Sequence, residues 1–358
     1  MDSMTVYDSF PFKLKSCVWE VTLACCFRCA YCGSCGGKAR ENELTLLECE
    51  GVAAQLAEMG CRRVSMIGGE VFMRKDWASI VEALTSRGVK CCIITNGFRM
   101  TPEIIETLKR VRIESVAVSV DGPEEVHDAF RQKGSFKRAF ETITALTAAG
   151  IPVSVISALR ADNAPRLPEF YETLKKYPVF AWQIQACSPM GNAAGNSVDV
   201  VFDAGRVLKF VRKIAKTAPF MVGVADNIGY YTEEEGEVRG ISGIKYGGCS
   251  AGLNAIGIDS VGNVRGCESM YDERFNEGNL RERRLVDIWT DPDAFSYNRK
   301  FDESMLTGGC AGCEYGSVCA GGCRSYNYFS GGKLYENPLC AHAKALRKCA
   351  EESVGEEI

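Results

Sequence analysis

Three cysteines in one short loop are the first residues in this chain with the means to do chemistry. Cys25, Cys29 and Cys32 form C-x3-C-x2-C, with Tyr31 just before the last of them. Three thiolates from a tight loop can hold three irons of a [4Fe–4S] cube and leave the fourth iron open. A zinc knuckle is the competing reading, but zinc takes four ligands, usually as paired C-x2-C elements. Cys26 and Cys35 flank the pattern without fitting it. A second group lies towards the other end: Cys249, then Gly262 and Cys267, then Cys310-x2-Cys313-x5-Cys319-x3-Cys323, then Cys340. A zinc ribbon accounts for Cys310 and Cys313 but leaves an odd cysteine over. Cys17, Cys49, Cys61, Cys91, Cys92 and Cys187 are scattered and read as small apolar core residues.

Between the two groups, short polar motifs follow strand-like runs in order. They are Gly68-Gly69-Glu70, Thr95-Asn96-Gly97 and Ser119-Val120-Asp121-Gly122, with Arg131 further on in HDAFR. Each alone is a turn signal. Together with the first cysteine loop they resemble the radical S-adenosylmethionine (SAM) superfamily, whose GGE and S-x-D-G motifs they match. The resemblance implies that the open iron chelates the amino and carboxylate groups of SAM. It implies that Glu70 accepts hydrogen bonds from the SAM ammonium, while Gly68 and Gly69 let backbone approach the ligand. Asn96, Ser119 and Asp121 are expected to face ribose and methionine, and Arg131 the SAM carboxylate.

The later cysteines resemble the seven-cysteine signature of the SPASM domain, so the resemblance runs from Cys25 to Cys340. It implies two auxiliary [4Fe–4S] clusters, three in all. Cys310, Cys313, Cys319 and Cys340 would ligate the outer one, and Cys249, Cys267 and Cys323 the inner one. Some relatives carry an eighth cysteine six residues after the first, where this chain has Ala255. The inner cluster is then either open at one iron or completed by another residue, with Cys349 and His342 as unsupported candidates. Glu268, directly after Cys267, stands where sulfatase-maturating relatives carry an acidic base, although a surface carboxylate is its ordinary reading.

By the same resemblance the chain is an enzyme that cleaves SAM reductively to a 5′-deoxyadenosyl radical and oxidatively modifies a ribosomally made peptide, through a thioether or carbon–carbon crosslink. Its implied partners are a peptide substrate and an external electron donor such as flavodoxin or ferredoxin. About 24 residues precede Cys25, so leader recognition is expected from a separate protein or from direct docking. Oxidation of a small molecule or tetrapyrrole side chain, and formylglycine formation in a sulfatase, are the alternative activities. A non-catalytic iron–sulfur electron carrier is the remaining one.

The elements that must position these residues are legible as alternation. Strand candidates are 16–22, 63–67, 91–95, 115–120, 153–158 and 180–186, separated by amphipathic segments at 46–59, 77–87, 102–110, 136–149 and 165–176. Val- and Ile-rich strands alternating with helices imply parallel βαβ units with right-handed crossovers. This predicts an α/β fold, a partial (β/α)6 TIM-type barrel over 13–217 with its chemistry at the C-terminal strand ends. A bridging region at 218–248 is expected to lead to a cysteine-rich SPASM domain at 249–349, organised by metal and not by a core of its own. The tail 351–358 reads as disordered. A net charge of −4 argues against nucleic acid as a partner. No apolar run has membrane length, and no export signal opens the chain. A cytoplasmic protein is expected, where clustered cysteines serve metal more often than disulfides.

Overall fold

The computed structural model describes residues 3–241 and 243–347. Cys349 and the tail lie outside the described residues. The six expected strands are all present: β1 (Ser16–Glu20), β2 (Arg63–Ile67), β3 (Lys90–Thr95), β4 (Ser115–Ser119), β5 (Val153–Leu159) and β6 (Ala181–Ala186). They pair in parallel in sequence order. Four further strands were not foreseen, namely β7 (Met221–Val224), β8 (Ala255–Ile258), β9 (Asn263–Arg265) and β10 (Gly278–Asn279). The result is one ten-stranded sheet in the order β10-β9-β8-β1-β2-β3-β4-β5-β6-β7. β7 extends it beyond β6, and β8 lies parallel to β1 on the other side. The sheet therefore runs unbroken from the expected barrel through both later regions.

Helices α1 (Ser3–Ser9), α2 (Leu46–Glu58), α3 (Trp77–Thr85), α4 (Pro102–Arg110), α5 (Glu124–Phe130), α6 (Ser135–Ala148), α7 (Leu167–Leu174), α8 (Asn192–Gly195) and α9 (Ala204–Ala215) fill the connections. Their starts follow capping chemistry. Thr45 and Glu48 form a reciprocal capping box on α2, and Thr101 caps α4 ahead of Pro102. One side of each strand is buried in a common core with the helices. Trp19, Val64, Ile93, Val118, Val155 and Ile184 meet Val52, Leu56, Ile80, Leu84, Ile143 and Phe170 there. Period-two alternation sends the other residues, among them Glu20, Ser65, Cys92 and Ser119, to the opposite face.

The C-terminal region shares this core, contrary to the expectation of a segment without one. Leu285, Val286, Ile288, Trp289 and Phe295 join the same buried cluster, and Trp289 Nε1 donates to the carbonyl of Phe12 at 2.9 Å. The apolar residues fall within pieces of five residues or fewer, too short for a period to show. No helix among the described residues is long and apolar enough to cross a membrane.

Candidate active site

Because β1 to β8 are parallel, their C-terminal ends share one edge, and the cysteine loop leaves β1 at that edge. Its path is set by backbone bonds: Cys25 N–H donates to Gly37 O at 2.9 Å and Gly37 N–H to Leu23 O at 2.8 Å. Two amides point at the sulfurs, Phe27 N–H to Cys25 Sγ at 3.4 Å and Gly36 N–H to Cys32 Sγ at 3.3 Å. Such bonds stabilise thiolates and tune a cluster's potential. Asn96 Nδ2, at the end of β3, reaches Cys26 Sγ at 3.5 Å and Cys25 Sγ at 3.9 Å.

Gly68 and Gly69 make a close approach to the protein's own backbone. A Cβ on Gly68 would stand 2.5 Å from Thr22 O, and one on Gly69 2.4 Å from both Ala24 O and Leu23 O. The pair lets the end of β2 press against the segment entering the cysteine loop. Gly69 N–H donates to Thr22 O at 2.8 Å and Glu70 N–H to Ala24 O at 2.7 Å. Glu70 itself is buried. Its Oε1 accepts from Thr95 Oγ1 at 2.8 Å and Phe72 N–H at 3.4 Å, and its Oε2 from Asn96 N–H at 2.8 Å. A carboxylate offers four lone-pair directions, so one remains for an ammonium donor. Burial pushes this carboxyl up to about 7 against the pull of the Asn96 and Thr95 donors.

Asp121 and Arg131 are found facing each other. Arg131 donates to Asp121 through Nε at 2.7 Å and Nη2 at 3.2 Å. The same wholly buried carboxylate accepts from the Tyr31 hydroxyl and from Ala158 N–H at 3.2 Å. Arg160 stacks over Tyr31 at 4.7 Å and over Phe130 at 4.0 Å. Burial alone would raise the Asp121 carboxyl, but the Arg131 guanidinium outweighs it and holds the group well below the usual carboxylate range. With these partners Asp121 anchors the cysteine loop through Tyr31. The sequence hides this because the two partners lie ten residues apart, on either side of α5. Ser119 ends β4 partly exposed.

The later cysteines form two groups, divided by a reversal. Ala320, Gly321 and Gly322 all adopt positive φ, at 51°, 79° and 83°, which turns the chain between Cys319 and Cys323. Cys310, Cys313, Cys319 and Cys340 line one small cavity with Tyr230, Tyr231 and Tyr315. His342, weighed for the inner group, lines this outer cavity instead. Burial pushes the Cys319 thiol up to about 12 and Cys340 to about 11. Cys249, Cys267 and Cys323 gather separately. Burial raises the Cys323 thiol, and Cys249 and Cys267 beside it raise it further. The hydroxyl of Tyr246 is buried without a hydrogen-bond partner, next to Cys249 and Cys323. A donor stranded there fits a sulfur-rich acceptor such as a cluster.

Glu268 is not a surface carboxylate. It is 4% exposed, and both of its oxygens lack hydrogen-bond partners. Burial first, and Glu20 next, raise its carboxyl well above the ordinary range. Around it lies a polar cluster that sequence reasoning missed. Glu20 pairs with Arg40 and accepts from the Tyr271 hydroxyl, and Arg265 pairs with Asp259 at 3.1 Å. Arg40, Asp259, Arg265 and Tyr271 also line an open cavity of about 610 Å³. The available signal was Glu20 itself, a charge at the end of an otherwise apolar strand.

Residues 19–174 match the model of the radical SAM superfamily, and residues 249–314 that of the SPASM iron–sulfur cluster-binding domain. The chain is 31% identical to mycofactocin maturase MftC of Mycolicibacterium smegmatis, over 92% of its own length and 84% of the relative's. It is 28% identical to an AdoMet-dependent heme synthase of Nitratidesulfovibrio vulgaris, over 94% and 95% of the two chains. In fold it is similar to Streptococcus suis SuiB bound to precursor peptide SuiA, with a TM-score of 0.75, 17% identity and coverage of 94% of this chain and 78% of that one.

Proposed function

Because this chain belongs to the radical SAM superfamily and carries its SPASM domain, we propose that it oxidatively modifies a ribosomally made peptide, forming a thioether or carbon–carbon crosslink. It binds three [4Fe–4S] clusters and SAM. Bound together, a reduced cluster and SAM supply reductive cleavage of the sulfonium and, through the 5′-deoxyadenosyl fragment, hydrogen abstraction from an unactivated C–H bond.

The chain's own residues do the rest. Cys25, Cys29 and Cys32 would hold the first cluster, with Phe27 and Gly36 amides on the sulfurs. Glu70 offers its remaining lone pair to the SAM ammonium. Tyr31, Asp121 and Arg131 keep the loop in place, so that SAM and substrate meet in one geometry. Cys310, Cys313, Cys319 and Cys340 would hold the outer cluster, and Cys249, Cys267 and Cys323 the inner one. Glu268 exchanges a proton with the substrate, and the upward shift of its carboxyl favours the form that carries the proton. An electron donor of the flavodoxin or ferredoxin kind, a separate leader-recognition protein and a cytoplasmic setting complete the proposal.

The observation that carries the peptide reading is the 31% identity to a maturase over 92% of the chain. Co-expression with a candidate precursor peptide should give a product lighter by the hydrogens lost in crosslinking, detected by mass spectrometry. The heme synthase relatives favour a second reading, oxidation of a tetrapyrrole side chain. An unaltered peptide, together with turnover of a tetrapyrrole by the same preparation, would replace the first reading with the second.

A further inference from the structure

Four other strands separate β1 from β6 in the sheet, yet the segments that follow these two strands meet. The loop after β6 turns at Gly191, whose φ is 55°, and presses onto the cysteine loop. A Cβ on Gly191 would stand 2.2 Å from Gly33 O and 2.6 Å from Cys32 O. Both are backbone atoms that cannot swing aside, so glycine alone lets the two segments come this close. The preceding side chain, Met190, is buried, and its Cγ lies 3.3 Å from where a Cβ on Gly33 would stand.

Three hydrogen bonds cross the junction, each from this segment to a carbonyl of the cysteine loop. Asn192 makes two of them: its backbone N–H donates to Cys32 O at 2.9 Å and its Nδ2 to Cys29 O at 3.0 Å. Asn196 makes the third, from Nδ2 to Ala30 O at 2.8 Å. Asn192 is itself held in place. Its carbonyl accepts from Asn196 N–H at 2.8 Å, and the neighbouring Ala193 is buried. Further along, Asp199 O accepts from Ala161 N–H at 3.0 Å, which ties the segment to the end of β5. A single residue therefore spans two of the three cysteines of the loop, while Cys25 is fixed from the other side through Gly37 O at 2.9 Å.

We infer that Asn192 is a positioning residue for the first cluster, holding Cys29 and Cys32 in the arrangement that SAM binding requires. Groups hydrogen-bonded around metal ligands orient those ligands and tune the metal they hold. The loop after β6, which no sequence motif marked, then belongs to the cluster site. The inference goes beyond the proposed peptide chemistry and rests only on Cys25, Cys29 and Cys32 holding that cluster.

The test is electron paramagnetic resonance of the anaerobically reconstituted, reduced full chain, titrated with SAM. The signal that responds to SAM reports the first cluster, and the auxiliary signals serve as an internal reference. Asn192→Ala should keep the parent's iron content but shift the midpoint potential of the SAM-responsive signal. It should also raise the SAM concentration that half-completes the response by about three- to tenfold, the worth of one hydrogen bond. The auxiliary signals should stay where they are. Asn196→Ala, at an exposed position, should shift the same two quantities in the same direction by less. An Asn192→Ala protein with the parent's potential and SAM dependence overturns the inference. If that variant fails to load the cluster, Asn196→Ala decides alone, and no shift overturns it. A parent whose spectrum ignores SAM refutes the first-cluster assignment itself, and the inference falls with it.

Discussion

Glu70 shows how a single side chain couples proton and ligand. Its raised carboxyl is neutral more often below pH 7 and ionised above it. The ionised form is the one that accepts from an ammonium, so SAM affinity should rise as pH increases through about 7. Calorimetric titration at several pH values reads this, and Glu70→Gln should flatten the profile. The bond is worth about 1.5–3 kcal/mol, so Glu70→Ala should weaken SAM binding about tenfold or more with cluster content unchanged. Asp121 has the opposite sign. Its folded pKa lies below the unfolded value, so its contribution is present above about pH 4 and lost as pH falls towards the folded value. Removing it strands Arg131, whose two side-chain hydrogen bonds both go to Asp121. Asp121→Ala should cost about 3–5 kcal/mol, read as a lower denaturation midpoint of the apoprotein. The cysteine spacings announced themselves because cluster ligands must recur at fixed offsets. The Asp121–Arg131 pair and the Glu20–Arg40–Tyr271 set did not, since a tertiary pairing leaves no local pattern.

At the scale of elements, the turn after β2 and the loop after β1 form one unit. The glycine motif reveals that the backbone there must be permissive, but not which backbone comes close to it. A methyl on Gly69 would stand 2.4 Å from two backbone carbonyls, atoms that cannot swing aside. Gly69→Ala should therefore displace the cysteine loop. The expected result is loss of the first cluster and of SAM cleavage, with auxiliary absorbance retained, measured by iron content and visible spectra. Strands β1 to β6, five to seven residues each, were legible because they alternate with amphipathic helices. β7 and β8 were not, because MVGV and AIGI are four residues each and interrupted by glycine.

At the scale of the whole molecule, the sheet joins the two cysteine regions through β1, which pairs with β2 on one side and β8 on the other. The Cys25–Cys32 loop, which follows β1, and Cys249 and Cys267, which flank β8 and β9, thereby adjoin neighbouring strands of one sheet. Three cubes imply about 12 irons per chain after anaerobic reconstitution. Metal analysis should return that count with little zinc.

The central claim is that the Cys25–Cys32 loop drives reductive cleavage of SAM. The direct measurement is 5′-deoxyadenosine formed by reconstituted, reduced protein given SAM, compared with the protein in which Cys25, Cys29 and Cys32 are Ala. The account predicts 5′-deoxyadenosine from the first and none from the second, while the second keeps its auxiliary absorbance. Cluster-loaded protein that yields no 5′-deoxyadenosine, or a triple variant that yields as much as the parent, would contradict it.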